Sequence, residues 1–393
     1  MDKDISVDTF RIYLENKGWI KKYCSKCNGI FYTKDINNTV CGRPKTYCSS
    51  YDFLKYPRKK CSTKIKYLLD IYNDFIKENS FSKVDAIKIK KTETSLFLGS
   101  AGQLFNEEIF EEKTLNDNVF FIAQPVIRLQ FANSSDTIKK NYLSSFVNLS
   151  SQYLSLQNNI NKHIELFEKW LDFFSSAGLY VGHFTLKEKI SSKIWKDRKV
   201  DSISYFIIYK GLEIGVVNYS IIEQFTRNNI YQSDCTFGLE RLLWAVNKTS
   251  NILYNIAPDI IILQNNMEFI DIYRTLVLMV GSGIKPANNN QGYKFRMLCK
   301  KISNINSVLD IELLRYYYYF WSNFFKLCDF DNIYNIIYLE YSRNINIYLN
   351  DNIKKSRINN INNNQNQNIY QYLSQKNINY ADFDKLKQYI NNN

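Results

Sequence analysis

Hydrophobic and polar positions follow two different periods in the first half of this chain. In KIKYLLDIYNDFIKEN (64–79), the apolar side chains recur three and four positions apart, which predicts an amphipathic helix. VFFIAQPVIRL (119–129) is β-branched and too broken for a helix, so a strand is expected. Within 204–217, two strands joined at Lys210 and Gly211 are predicted. Two further helices are predicted at 163–179 and 237–246.

The second half of the chain has a different pattern. Beyond residue 265 it is almost wholly helical, and from about residue 350 it becomes rich in Asn. This order predicts an α+β fold, in which an antiparallel sheet flanked by helices is followed by an all-helical domain. The expected divisions are a cysteine-containing element, a mixed domain, a helical domain, and an Asn-rich linker with a short C-terminal segment, at 1–60, 61–250, 251–350 and 351–393.

Composition narrows the class of protein. The chain has 393 residues, of which 45% are hydrophobic and 16% aromatic, which is too apolar for a disordered chain. No apolar run approaches the ~20 residues of a membrane-spanning helix, and MDKDISVDTF is no secretory signal. A cytoplasmic protein without membrane association is therefore expected. The net charge of +13 indicates a polyanionic partner such as nucleic acid, although an AT-biased genome would supply part of that charge through its lysines.

Four cysteines are grouped near the N-terminus. Cys24 and Cys27 are separated by two residues, and Cys41 and Cys48 follow with six residues between them. Two thiolate pairs around a short hairpin suit tetrahedral zinc, so a zinc ribbon is one interpretation and a set of free thiols is the other. Cys61 is a possible substitute ligand. The cysteines in apolar surroundings are expected in the core: Cys235, Cys299 and Cys328.

The most specific motif is SDCTFGLERLLWAVNKT (233–249). It resembles motif 3 of the class II aminoacyl-tRNA synthetases, and in particular the alanyl-tRNA synthetase form, D-T-G-x-G-L-E-R. Cys235 and Thr236 stand where that form has Thr-Gly. The residues that match are Asp234, Gly238, Leu239, Glu240 and Arg241.

Other segments resemble the same family in the same order. SLFLGSAGQLF (95–105) is similar to an early catalytic segment, AQPVIRLQ (123–130) to the motif 2 entry, and GLEIGVV (211–217) to the strand before motif 3. The run at 274–302 is similar to the helical tRNA-recognition region. The N-terminal GWIKKYCSKCNGIFYTKDINNTVCG is similar to the leader of the archaeal-type enzymes, so the resemblance covers most of 15–345.

The resemblance implies an alanine–tRNA ligase-like enzyme. Its catalytic domain would be 61–250 and its tRNA-recognition domain 251–350. Such an enzyme uses ATP and Mg²⁺ to activate a small amino acid, here expected to be alanine, as its adenylate, and then transfers the amino acid to tRNA. The family's editing domain binds zinc through several histidines. This chain has two, His163 and His183, so a shortened member without that domain is expected. His163 is expected at the surface of its helix.

The resemblance also assigns roles to residues of the catalytic domain. Arg128 would bind the α-phosphate of ATP through its forked guanidinium. Arg241 would cover one face of the adenine and reach the γ-phosphate, while Phe146 would cover the other face. Asp234 would hold the α-amino group of the amino acid. Glu213 would bind Mg²⁺ or orient the nucleotide.

The motif 2 loop departs from the family. Asn141 and Tyr142 stand where the family has Arg and His, and Val147 replaces a Glu. Lys139 and Lys140 would be possible sources of the missing positive charge. Two alternatives therefore stay open: a synthetase paralogue that activates an amino acid for a non-tRNA acceptor, and a non-catalytic tRNA-binding relative.

The helical domain carries the candidate tRNA contacts. In the family, an Asn and an Asp recognise the acceptor stem of the tRNA. By resemblance, Asn288 would be this Asn, and Gln388 stands where the Asp is expected. Basic residues would form a face that meets tRNA phosphates, and a solvated helix surface is the alternative interpretation. The members of this face are Arg274, Lys294, Arg296, Lys300 and Lys301.

Overall fold

The computed structural model describes most of the chain. The described residues are 2–57, 63–92, 95–105, 109, 118–129, 142–225, 228–257, 267–305 and 309–358. Cys61, Lys139, Lys140, Asn141 and Gln388, and with them most of the Asn-rich segment, lie outside these ranges. The chain divides into two compact units, the first made of 1–87 and 97–264 and the second of 88–96 and 265–393. The domain boundaries expected from the sequence stay a prediction.

The first unit contains a sheet of nine strands within the described ranges. In chain order these are β1 (Ile20–Tyr23), β2 (Ile30–Thr33), β3 (Ser82–Lys83), β4 (Phe120–Ile127), β5 (Ser145–Ser155), β6 (Phe184–Trp195), β7 (Arg198–Tyr209), β8 (Leu212–Ile222) and β9 (Ile230–Gly238). Their order across the sheet is β1-β2-β6-β7-β8-β9-β5-β4-β3. Every neighbouring pair is antiparallel except β3 and β4.

Two tight hairpins organise the centre of this sheet. Lys196 and Asp197 join β6 to β7 with φ of 49° and 62°, and Lys210 and Gly211 join β7 to β8 with φ of 43° and 86°. Paired positive φ values match the right-handed twist of adjacent strands. The predicted pair of strands around Lys210 and Gly211 is therefore confirmed.

Within the described residues, the first unit has four α-helices: α1 (Asp2–Asn16), α2 (Ile65–Glu78), α3 (Ile160–Ser176) and α4 (Leu239–Asn247). Trp170 of α3 is buried and its Nε1 donates to Ser151 Oγ on β5 at 2.9 Å. Its ring stacks with Tyr72 of α2 and Phe121 of β4, at centroid distances of 6.0 and 5.6 Å. Apolar burial of this size joins helices and sheet into one core.

The second unit is helical in its described part, with α5 (Met267–Gly281), α6 (Asn290–Ile305), α7 (Ile311–Ser322) and α8 (Phe330–Ile358). Trp321 of α7 is buried, and its Nε1 donates to the carbonyl of Arg274 on α5 at 2.9 Å. The antiparallel sheet with flanking helices and the helical second unit confirm the predicted α+β fold class. Among the described helices, none has both the length and the apolar character needed to span a bilayer.

Candidate functional site

A cavity of about 140 Å³ opens in the first unit, beside the sheet. Its wall is built from residues of β5, β8, β9 and α4, together with side chains from three loops. The four residues to which the resemblance assigns contacts with ATP all line it: Arg128, Phe146, Glu213 and Arg241. Their convergence brings together segments that lie far apart along the chain.

A bulge in β8 shapes one side of the cavity. Ile207 of β7 pairs with Gly215 and Ile208 pairs with Glu213, so Ile214 is the extra residue. Bulges re-aim side chains next to functional sites. Here Glu213, Ile214 and Gly215 line the cavity in succession. A Cβ on Gly215 would overlap the carbonyl oxygen of Thr236, so only glycine fits.

Arg241 lies in the first turn of α4. Its Nη1 donates to the carbonyl of Glu213 at 2.8 Å, and its Cζ lies 4.3 Å from the ring centroid of Tyr142. The neighbouring Glu240 is buried, and its two carboxylate oxygens accept from the backbone N–H of Val147 at 3.0 and 3.1 Å. Glu240 therefore supports β5, while Arg241 is oriented toward the cavity wall.

Arg128 follows β4 and is held by its own contacts. Its Nε donates to the carbonyl of Gly99 at 2.5 Å, and its Cζ lies 5.2 Å from the ring centroid of Phe146. Burial, and then the positive charge of Arg241, lower the pKa of Arg128. The expected adenine sandwich assigned Phe146 and Arg241 to opposite faces of one base. In the structure, Phe146 contacts Arg128 and Arg241 contacts Tyr142, so the sandwich stays a prediction.

Asp234 lies on β9, next to the lining residue Thr236, and is not itself among the residues that line the cavity. Gln152 Nε2 and Thr236 Oγ1 both donate to its Oδ1, and the second bond is 2.5 Å long. Burial raises the pKa of Asp234 despite these two hydrogen bonds and the positive charge of Arg128. The other oxygen, Oδ2, would lie only 3.0 Å from a Cβ at Gly102. A cationic group bound at this carboxylate would favour its ionised form.

The four N-terminal cysteines meet in one cluster. All four sulfurs lie within 4.8 Å of one another, with Cys24 and Cys48 3.7 Å apart and Cys27 and Cys41 3.9 Å apart. Four sulfurs at ~2.3 Å from a tetrahedral zinc would be about 3.8 Å apart. Burial opposes ionisation of Cys24, but hydrogen bonds from the backbone N–H groups of Cys41, Cys27 and Lys26 lower its pKa to about 6. The donor set therefore fits zinc.

The segment between Cys41 and Cys48 reaches the cavity, which the sequence interpretation missed. Lys45 lines the cavity, and Arg43 Nε donates to Glu213 Oε2 at 2.8 Å. Desolvation, followed by the charges of the nearby arginines, lowers the pKa of Lys45 against the opposing charge of Glu213. In the sequence, this role was indicated only by the position of two basic residues, Arg43 and Lys45, between the ligand-type Cys41 and Cys48.

The candidate tRNA residues have different environments in the second unit. Arg274 was expected on a basic surface, but its side chain is 0% exposed and packs against Phe320 and Trp321, at 4.2 and 4.4 Å from Cζ to the ring centroids. The surface expectation is wrong for Arg274, because α5 is buried on the side that carries it. Asn288 and Arg296 lie together, with Arg296 Nη1 donating to Asn288 Oδ1.

Charge on the rest of the basic face is partly neutralised. Arg296 Nε donates to Glu340 Oε1 at 2.9 Å, and Lys301 Nζ lies 3.1 Å from Glu268 Oε1. Lys300 is exposed. The described part of this face therefore presents less net charge than its basic residues suggest.

His163 corrects a second expectation. Its side chain was expected at the helix surface, but it is 1% exposed, and its Nδ1 lies 2.6 Å from Ser233 Oγ on β9. Because α3 turns this face toward the sheet, the ring is enclosed.

Three cysteines were expected in the core. Cys235 and Cys299 are buried, as predicted, whereas Cys328 is half-buried.

Comparison with known proteins supports a synthetase-like protein. No family model matches the chain. The alanine–tRNA ligase of Methanococcoides burtonii is 21% identical over 272 residues, covering 65% of this chain and 29% of the relative. That of Staphylothermus marinus is 22% identical over 359 residues, covering 74% and 38%. The chain thus spans well under half the length of these relatives.

Solved structures give weaker likenesses. Pyrrolysyl-tRNA synthetase from Desulfitobacterium hafniense matches with a TM-score of 0.35 and 13% identity, covering 55% of this chain and 79% of that one. Aspartyl-tRNA synthetase from Entamoeba histolytica matches with a TM-score of 0.33 and 14% identity, covering 48% and 56%. Support for the ligase class, in general terms, comes from the distant sequence similarity to alanine–tRNA ligases.

Proposed function

We propose that this protein activates a small amino acid, alanine in the first instance, as its adenylate at the expense of ATP and transfers it to tRNA. The observation that carries the proposal is the convergence of Arg128 and Arg241 on one cavity, with Asp234 hydrogen-bonded to the lining residue Thr236. The matches to alanine–tRNA ligases support the choice of amino acid and acceptor.

The chemistry needs positioning and positive charge. The amino acid carboxylate attacks the α-phosphorus of ATP, the bond to the β-phosphate breaks, and pyrophosphate leaves. Arg128 would neutralise the α-phosphate as negative charge develops there, and Arg241 would hold the departing end of the nucleotide. Asp234 would bind the α-ammonium group through its carboxylate. A side chain at Gly102 would crowd this carboxylate, because its Cβ would lie 3.0 Å from Asp234 Oδ2.

Two metal ions enter the proposal. Mg²⁺ binds one or two carboxylates together with substrate phosphates. Glu213 suits this role better than Glu240, because Arg43 Nε donates to one of its oxygens, Oε2, whereas both oxygens of Glu240 accept from the Val147 backbone. Zinc would be held by the cluster of Cys24, Cys27, Cys41 and Cys48, where it would serve as a structural cross-link.

For the tRNA acceptor, Asn288 and Arg296 are the residues we propose to meet the acceptor stem. Asn288 precedes α6, and Arg296, which lies within this helix, donates to Asn288 Oδ1. Because Arg274 is buried, it is left out of this surface.

The test is amino-acid-dependent exchange of pyrophosphate into ATP, followed by tRNA charging. Arg128→Ala and Arg241→Ala should each lower exchange at least 100-fold, because each removes a charged contact to the reacting phosphates. Lys189→Ala, on an exposed part of β6, is the control and should exchange normally. Exchange without charging would select the paralogue alternative, and no exchange with any amino acid would select the non-catalytic one.

A further inference from the structure

Among the residues that the structure describes, the cavity wall carries three cations and two carboxylates. Its cations are Lys45, Arg128 and Arg241. Its two carboxylates are engaged, since Glu213 forms an ion pair with Arg43 at 2.8 Å and Glu240 accepts from a backbone N–H. Like charges held together destabilise one another unless an anion is bound between them. The wall is therefore suited to a polyanion.

Lys45 reaches this wall from a rigid turn. It is the middle residue of the 3₁₀ turn Pro44–Thr46. Thr46 Oγ1 lies 3.2 Å from the carbonyl of Arg43 and 3.3 Å from Cys48 Sγ, which closes the turn on itself. The Arg43 guanidinium lies 3.3 Å from the ring centroid of Phe206 on β7.

Both ends of the segment are fixed to the sheet. Thr185 Oγ1 on β6 donates to the carbonyl of Cys41 at 2.6 Å, and Ser49 Oγ donates to the carbonyl of Gly211. Gly42 and Gly211 approach so closely that a Cβ on Gly42 would lie 3.3 Å from Gly211 Cα. A metal ion held by the cysteine cluster, of which Cys41 and Cys48 are members, would cross-link both ends of the segment.

We propose that residues 41–48 form a phosphate-binding loop, in which Lys45 contacts the terminal phosphates of the bound nucleotide and the metal-loaded cysteine cluster holds the loop in place. The ammonium would supply a charge that the altered motif 2 loop lacks. The terminal phosphates are favoured because Lys45 lines the same cavity as Arg241, which is assigned to that end of ATP. The identity of the nucleotide as ATP rests on the proposed function.

The test measures equilibrium binding of ATP, inorganic pyrophosphate and AMP to the full chain by calorimetry. Lys45→Ala should weaken binding of ATP and pyrophosphate by about 10- to 100-fold, the usual loss for a charge-assisted hydrogen bond, and should leave AMP binding unchanged. Lys45→Arg should retain most of the affinity. Lys189→Ala, at an exposed lysine of β6, is the matched control and should bind like the wild type.

Unchanged ATP affinity in Lys45→Ala, or an equal loss for AMP, overturns the role of Lys45. So does failure of the wild-type chain to bind either ATP or pyrophosphate. Pyrophosphate exchange separates this proposal from the proposed function. Normal exchange in Lys45→Ala refutes only the loop, whereas a Lys45-dependent affinity without any exchange refutes only the activation reaction.

The metal half of the proposal has its own measurement. Removal of metal by a chelator should weaken pyrophosphate binding to the wild type about as much as Lys45→Ala does, and should weaken the Lys45→Ala variant little further. Zn²⁺ alone should restore the wild type, with circular dichroism confirming that the stripped chain stays folded. Equal losses in both proteins, global unfolding of the stripped chain, or no binding of Zn²⁺ would each overturn the coupling.

Discussion

The buried His163 predicts a specific loss of stability in mild acid. Its ring lies between Phe10 and Tyr219, at centroid distances of 5.4 and 5.3 Å, and its Nδ1 is 2.6 Å from Ser233 Oγ. Burial lowers the pKa of His163 to about 3, from 6.5 in the unfolded chain. The ring is therefore neutral in the folded protein at pH values where the unfolded chain is protonated.

The sign and the size of the effect follow from linkage. The unfolded state binds more protons between the two pKa values, so the stabilisation is complete above pH 6.5 and is lost as the pH falls toward 3. One proton contributes about 1.36 kcal/mol per pH unit. Lowering the pH from 7 to 5 should therefore cost about 2 kcal/mol of unfolding free energy from His163 alone.

Urea unfolding at pH 7 and pH 5 measures this cost in the wild type and in His163→Gln. The variant should lack about 2 kcal/mol of the wild-type pH dependence, whatever its stability at pH 7. The chain has only two histidines, so NMR can follow both rings, with the half-buried His183 as internal reference. Titration of His163 near its ordinary pKa, or an unchanged pH dependence in the variant, would refute the argument.

Three further changes test the site and its support. Asp234→Asn should raise the KM for the amino acid more than that for ATP, and in the wild type that KM should rise as the pH falls through the raised pKa of Asp234, because the protonated carboxyl cannot pair with an ammonium. Glu240→Ala should cost about 2–4 kcal/mol in chemical unfolding, since it leaves the Val147 N–H buried without its acceptor, and a loss below 1 kcal/mol would contradict this. Gly211→Ala should destabilise more than Gly178→Ala, because both glycines have φ of +86° but only a Cβ at Gly211 meets other atoms, at 2.9 Å; equal melting temperatures would contradict the proposed close contact.

Local patterns predicted those elements whose stability is decided locally. The turn at Lys210 and Gly211 follows from glycine's tolerance of positive φ, and α2 follows from the spacing of its apolar residues. The bulge at Ile214 depends on the register of β8 against β7, which no local pattern encodes. Arg274 was assigned to a surface because of its charge. Its neighbours on α5, such as Leu276 and Val277, are apolar, and like Arg274 they are buried. Those neighbours were the better indicator.

The missing motif 2 charge shows why a site is harder to predict than a fold. A sequence motif is a local description, so the candidates that the sequence offered, Lys139 and Lys140, lie next to the altered residues. An anion responds only to the position of positive charge in space, so any segment that reaches the cavity can supply it. Lys45 belongs to the cysteine element and still lines the same cavity as Arg241. Loss of a motif residue is therefore an argument against activity only after the cavity has been searched for a replacement from elsewhere in the chain.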